Sequence, residues 1–353
     1  MSSAAKNSKE AEKIEVLPHS IVKSPWGINV ASTWTIENNY LNFIGIGLAV
    51  ERPETIVKAY YSDNVELECP SENLRSIADR YLKAVDAEIT EKSDLRRKYK
   101  VEIEQIIESA MTHGSKLILG LAIGQAMNRL YSMRLTHLKL IPEKIAEIIE
   151  APYPWISKVY SFRFGGFVIS GGRLNGKRVP PLLVRYNFPE NCFIVLGILK
   201  KEVKFQDFPE IENANLEKRL SEEINWITLV RLLPAVIEQN VVEIGKALSE
   251  IGRIILSNKS YLNLCQKLMS SSAMEAIKES TRLLLERGAL GASQSMFEPV
   301  VYGLVDELKK GEALSDSLKK FLEDYGGGEV LLTKPNNSGA VIHYTILKKN
   351  EVR

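Results

Sequence analysis

Residues 288–305 read GALGASQSMFEPVVYGLV: small residues punctuated by Gly288 and Gly291, then an apolar run. The pattern predicts a turn that opens a helix, which points backbone N–H groups and a helix N-terminus at an anion. Phosphate is the first ligand to expect, with Gly288, Gly291, Ser293, Gln294 and Ser295 around it. Glycine turns of this kind also serve simply to cap or join elements, so the stretch takes its meaning from the rest of the chain.

A second glycine-bearing loop lies in MTHGSKLILGLAIGQAMNRLY, residues 111–131. Polar residues 112–116 open a helix that is apolar on nearly every face, and such a helix must be central. Gly120 and Gly124 cost about 1 kcal/mol each relative to Ala inside a helix, a penalty tolerated where another backbone packs close. Gly114, Ser115 and Lys116 offer a phosphate free N–H groups, a hydroxyl and an ammonium; they also read as an N-cap serine beside a surface lysine.

The 353 residues suffice for two domains, and 45% apolar with 25% charged residues is the composition of a soluble globular protein. Lys plus Arg (46) nearly balances Asp plus Glu (44), so a net charge of +2 gives no case for nucleic acid or a membrane as partner. A small molecule is favoured. Cys69, Cys192 and Cys265 are isolated and odd in number, which argues against a disulfide framework and for a reducing cytoplasm. His19, His113, His137 and His343 show no metal-ligand spacing, so no structural metal is expected. Residues 1–12 read as a disordered polar tail, and no run reaches the length of a membrane span.

Strands are expected over residues 13–22 and 44–67, then a helix carrying Leu74, Ala78, Leu82 and Val85, then a strand over 99–107. SFRFGGFVISGGRLNGKRVPPLLVRY, residues 161–186, holds a strand with two Gly-Gly pairs and then Pro180-Pro181. The domain boundary is placed there, giving domains 13–179 and 180–353. Strands over 182–186 and 192–198 precede helices over 216–233, 241–256 and 273–287, with Pro234 ending or kinking the first. Residues 329–333 and 340–347 are expected to close the chain as a pair of strands around the turn PNNSG. Strands and helices come in blocks, which predicts two α+β domains rather than a doubly wound sheet.

Several segments in this order carry a resemblance: IGIGLAV (44–50), HGSKLILGLAIG (113–124), PPLLVRYNFP (180–189), LLPAV (232–236) and GALGASQSMFEPVVYG (288–303). The chain resembles the beta-ribofuranosylaminobenzene 5'-phosphate synthases, a branch of the GHMP kinase superfamily, as a divergent member. The resemblance implies a ribosomal protein S5 domain 2-like N-terminal domain, a ferredoxin-like C-terminal domain and a ligand cleft between them. It implies condensation of phosphoribosyl pyrophosphate with 4-aminobenzoate or 4-hydroxybenzoate, with loss of pyrophosphate and carbon dioxide, toward a methanopterin-type pterin. A cytoplasmic homodimer and Mg²⁺ accompanying the pyrophosphate are also implied. ATP is the ligand of the superfamily's kinases.

The motifs depart from the family at chemically important places. The glycine loop, about Pro-Glu-His-Val-Gly-Leu-Gly-Ser, falls on residues 108–115, where only Gly114 and Ser115 match. Thr112 puts a β-branched side chain where a glycine lets phosphate approach. Arg163 and Phe164 stand where Phe-Glu-His-Gly-Gly-Phe has its acid and its histidine, and Lys23 begins a first motif that has lost its histidine. In the last motif Gly291, Gln294, Ser295 and Pro299 match, while Ser293 and Glu298 replace glycines. Scaffold positions such as Gly47, Gly124, Arg185 and Pro234 match. Lys23 and Arg163 read as replacement phosphate ligands or as solvated charges, and Arg185 as an anion contact or an exposed strand residue.

Three functions follow as expectations. The first is the synthase-like transferase, the second an ATP-dependent small-molecule kinase, against which the altered loop counts. The third is a non-catalytic homologue that keeps the fold as a binding or assembly subunit.

Overall fold

The computed structural model describes residues 19–37, 40–93, 98–107, 112–132, 140–174, 179–200 and 217–344. The expected tail over residues 1–12, and loop positions 108–111, lie outside them.

Two long strands, β1 (Ser20–Glu37) and β2 (Tyr40–Tyr61), form an antiparallel ribbon at the centre of a seven-stranded sheet. The first part of β2 pairs with β5 (Phe167–Leu174), and its last part pairs with β4 (Tyr99–Gln105). Outer positions go to β3 (Glu66–Glu68) on β4, β6 (Leu182–Tyr186) on β5 and β11 (Val341–Tyr344) on β1. The sheet therefore does not stop at residue 180: β6 and β11, both beyond it, complete it. Residues 329–333 and 341–344 do not pair with each other either, since they belong to different sheets.

Helices α2 (His113–Ser132) and α4 (Ser157–Phe164) lie on β1 and β2, with α1 (Glu72–Ser93) and α3 (Pro142–Ile148) packed against α2. Leu117 through Met127 of α2 are all buried, as its all-round apolar pattern requires. Gly120 and Gly124 admit α3 and the residue that ends it: a Cβ on Gly120 would come within 2.5 Å of Ile149 Cδ1, and one on Gly124 within 2.5 Å of Ile145 Cγ2. Side chains, not another backbone, are what the glycines accommodate.

The second sheet has the order β10 (Gly328–Thr333), β7 (Phe193–Leu199), β9 (Val300–Val305), β8 (Gly291–Gln294), antiparallel throughout. Between β7 and β8 the chain passes through α5 (Lys218–Ile227), a π-type turn over Thr228–Leu232, and α6 (Leu233–Ile237). Pro234 removes one N–H from the helical ladder, and the widened turn before it lets the helix continue rather than stop. Helices α7 (Val241–Ser257) and α9 (Ser271–Glu286) cover β8, and α10 (Leu308–Asp324) covers β7 and β10. Between α7 and α9 lies α8 (Lys259–Leu268), absent from the sequence reading; the Asn258 side chain caps it by accepting from Tyr261 N at 3.0 Å.

Residues 288–305 differ most from expectation. They form no helix: Gly288, at φ 95°, terminates α9, its N–H bonding back to Leu285 O at 3.1 Å. Two short buried strands, β8 and β9, follow, joined by the turn at 295–299. The anion-facing helix N-terminus expected there does not exist.

Candidate functional site

The two sheets meet where the centre of β1, the start of α2, the buried end of α4 and the turn at 295–299 converge. Asn29 on β1 organises the meeting. Its backbone N–H donates to Ser295 Oγ at 3.0 Å, and its side-chain amide donates to Pro154 O at 2.8 Å and Met296 O at 3.1 Å. A register shift between Asn29 and Ala31 turns this residue toward its partners, the local use to which bulges are put.

At the start of α2, Thr112 is the cap: its Oγ1 accepts from Ser115 N at 3.1 Å. Ser115, expected as the cap, sits three residues later, and its Oγ lies 3.2 Å from Thr112 Oγ1 and 3.4 Å from Trp26 Nε1. The Thr112 hydroxyl donates to Glu298 Oε1 at 2.6 Å. Glu298 in turn is paired with Lys158 of α4, whose Nζ lies 2.7 and 2.8 Å from the two carboxylate oxygens. Ser295 Oγ donates to the same carboxylate. Both charged side chains are 0% exposed.

A fully buried Lys–Glu pair is a strong local feature, because each ion loses its hydration and depends on the other. Burial pushes the Lys158 ammonium below the usual lysine range, and Glu298 opposes that fall. The Trp26 ring, 4.6 Å from Lys158 Nζ, adds a cation–π contact. Gly114 is wedged against the pair: a Cβ there would fall 2.3 Å from Glu298 Oε1 and 2.4 Å from Lys158 Nζ. Glycine is thus needed at 114 to admit an internal ion pair.

His113, the next residue of α2, stacks on Trp155 with ring centroids 5.0 Å apart. Burial, with Lys116 adding to it, drops its pKa to about 4. Burial also drops the Lys116 ammonium to about 8, with Arg80 contributing. The folded chain holds His113 neutral where the unfolded chain, near 6.5, takes up a proton. This contribution to stability is intact above pH 6.5 and is lost as the pH falls toward 4, by about 3 kcal/mol at most. His113→Phe, which keeps the stacking, should flatten the fall in urea midpoint over that window; an unchanged slope would show that His113 titrates freely.

The other expected ligands have structural occupations. Gly291 and Gly245 bring β8 and α7 into backbone contact, Gly252 lies over Ser293, and Ser293 and Gln294 are fully buried. Gly288 is exposed at the end of α9. Arg185 donates to Phe164 O at 3.2 Å, to Asn337 O and to Asn187 Oδ1, binding the 335–339 loop to the first sheet. Arg163 pairs with Glu143. Lys23 lies apart, in a groove of about 650 Å³ with Glu51, Arg52 and Glu54. The structure thus gathers Gly114, Ser115 and Ser295, while Gly288, Arg163, Arg185 and Lys23 make their contacts elsewhere. Sequence reasoning missed Asn29, Lys158 and the role of Glu298, which had registered only as a glycine replaced by an acid. The buried thiol of Cys192 is pushed up to about 12, which leaves it inert as a nucleophile at neutral pH.

No family model matches the chain. Curated relatives do. It is 24% identical over 317 residues to the beta-ribofuranosylphenol 5'-phosphate synthase of Methanothermobacter thermautotrophicus, covering 84% of this chain and 90% of that one. The protein of the same name from Archaeoglobus fulgidus is 26% identical over 318 residues, covering 84% and 91%. The chain is similar to these synthases along most of its length. Homoserine kinase from Cytophaga hutchinsonii superposes with a TM-score of 0.61 at 14% identity, covering 93% of this chain and 99% of that one. Mevalonate kinase from Methanococcus jannaschii gives 0.59 at 14% identity, covering 90% and 99%. These likenesses show the two-domain GHMP kinase fold. No described helix is long and apolar enough to cross a membrane.

Proposed function

We propose that the chain is a synthase-like pentosyltransferase that joins phosphoribosyl pyrophosphate to 4-hydroxybenzoate or 4-aminobenzoate, releasing pyrophosphate and carbon dioxide. The observation that supports this is similarity along 84% of the chain to relatives named for a ribofuranosylphenol 5'-phosphate. A ribofuranosylphenol is what remains when 4-hydroxybenzoate is ribosylated at the carbon that loses its carboxyl group, so that acid is the acceptor to try first.

The chemistry asks two things of the protein. Departure of pyrophosphate leaves oxocarbenium character at the anomeric carbon, which the electron-rich ring carbon attacks before carbon dioxide leaves and aromaticity returns. The chain must hold two reactants together and stabilise a departing polyanion. We assign the second task to the junction at the start of α2, with Gly114, Ser115, Lys116, Lys158 and Ser295. Among the described residues no three His, Cys, Asp or Glu side chains converge as a metal site. Mg²⁺ accompanying the pyrophosphate would share the leaving charge. Action as a cytoplasmic homodimer on the way to a methanopterin-type pterin belongs to the same proposal.

A non-catalytic homologue is the second reading, favoured by the carboxylate that fills the junction. The kinase alternative has only the shared fold behind it. Carboxyl-labelled 4-hydroxybenzoate incubated with phosphoribosyl pyrophosphate and Mg²⁺ should release labelled carbon dioxide in step with pyrophosphate. No release from either acid, by protein that unfolds cooperatively, would leave the non-catalytic reading standing.

A further inference from the structure

We propose that Glu298 is an internal anion that competes with phosphate for Lys158: the resting chain closes the junction with its own carboxylate, and a phosphorylated ligand enters only when rotation at Phe297 and Glu298 withdraws it. This rests on the assignment of the junction to phosphate made above. It adds a gate that the assignment does not contain.

The donors around the carboxylate are the first ground. Glu298 receives two contacts from the Lys158 ammonium, one from Thr112 Oγ1 and one from Ser295 Oγ. An ammonium and two hydroxyls, all buried, are also a set that satisfies the oxygens of a phosphate. Space is the second ground. The hypothetical Cβ of Gly114 lies within 2.4 Å of both charged groups, so the volume beside the helix is already filled by the pair. Carboxylate and phosphate cannot both be there.

The third ground is where Glu298 is carried. It lies on a reverse turn, not within a ladder: its N–H returns to Ser295 O at 3.0 Å, and Phe297 before it holds φ at 64°. A left-handed conformation in a residue with a bulky side chain is stored strain, of the kind that persists at switching segments. Rotation at Phe297 and Glu298 moves the carboxylate while the β8–β9 pairing, its closing bond from Ser295 N–H to Val300 O at 2.8 Å and the bonds between Asn29 and Met296 stay intact. Burial makes the exchange steep, since a Lys158 left without an anion is poorly tolerated.

The test titrates inorganic phosphate and pyrophosphate against wild-type protein, E298Q, E298D and K158M/E298Q. It reads the thermal midpoint together with tryptophan emission, to which Trp26 beside Lys158 contributes. E298Q should bind phosphate about tenfold or more tightly than wild type. E298D, with its carboxylate withdrawn by one methylene, should fall between them, and K158M/E298Q should lose the gain. If E298Q lacks a cooperative transition alone, phosphate should restore one. Equal phosphate affinity in wild type, E298D and E298Q overturns the proposal, as does an E298Q that phosphate fails to rescue beside an E298D that behaves as wild type. Phosphate gained by E298Q with no carbon dioxide released by any variant keeps the gate and removes the transferase. Release by wild type with phosphate affinity unmoved by E298Q does the reverse.

Discussion

Replacing Glu298 with Gln is expected to lower the unfolding free energy by about 3–5 kcal/mol, because it strands the Lys158 ammonium in an apolar interior. The amide retains hydrogen-bonding capacity toward Thr112 and Ser295 but offers no charge, so Lys158 must lose its proton or remain unpaired. Proton loss is harder in acid, and the deficit should therefore widen as the pH falls. Lys158→Met should be comparably damaging, since Glu298 is then left with two hydroxyls and no cation. Removing both charges together, K158M with E298L, should recover most of the loss, because an apolar pair of similar volume avoids the desolvation of two ions. Urea midpoints of the four proteins make the comparison. A single substitution costing under about 1 kcal/mol would mean that water reaches the pair, as it does in exposed ion pairs.

Gly291→Ala is expected to be at least as severe, about 3 kcal/mol or more, for a different reason. Its added methyl would fall 2.1 Å from Gly245 O and 2.3 Å from Gly245 Cα, so it meets backbone rather than a movable side-chain tip. Relief requires α7 to lift off β8, opening the core that Ile244, Leu248 and Ile251 share with the second sheet. Gly245→Ala meets Leu290 O at 2.4 Å and should behave alike. Gly288→Ala is the control: nothing lies within 4 Å, and only the cost of a left-handed alanine, about 1 kcal/mol, remains. If the Gly291 and Gly288 variants were equally stable, the close crossing of α7 and β8 would be wrong.

The glycines explain why the sequence was legible in one place and opaque in another. In residues 113–132 the apolar residues recur on every face over five turns, a signal only a buried helix satisfies, and Gly120 with Gly124 announced a close neighbour. Around 288–305 the apolar run is six residues long, within the range where a buried strand and a helix segment share one pattern. A glycine that ends one helix then looks like a glycine that begins the next. The ion pair was hidden by distance along the chain, since Lys158 and Glu298 are 140 residues apart. Arg185 was visible as a retained residue, but its bond to Asn337 O depends on the loop at 335–339, which only the folded chain brings to it.

The pairing of β11 with β1 has a consequence for the order in which the molecule can be made. Ser20 to Lys23 find their partners in Tyr344 to Val341, more than three hundred residues later, so β1 leaves the ribosome and waits for that length of synthesis with one edge uncovered. Contacts this distant in sequence slow folding, and an open strand edge invites pairing with the wrong chain in the meantime. The first sheet is thus a ring of dependencies closed last, at the same time as the 335–339 loop ties Arg185. A nascent chain halted before residue 340 would carry every residue of the junction and still lack the strand that covers the edge of β1.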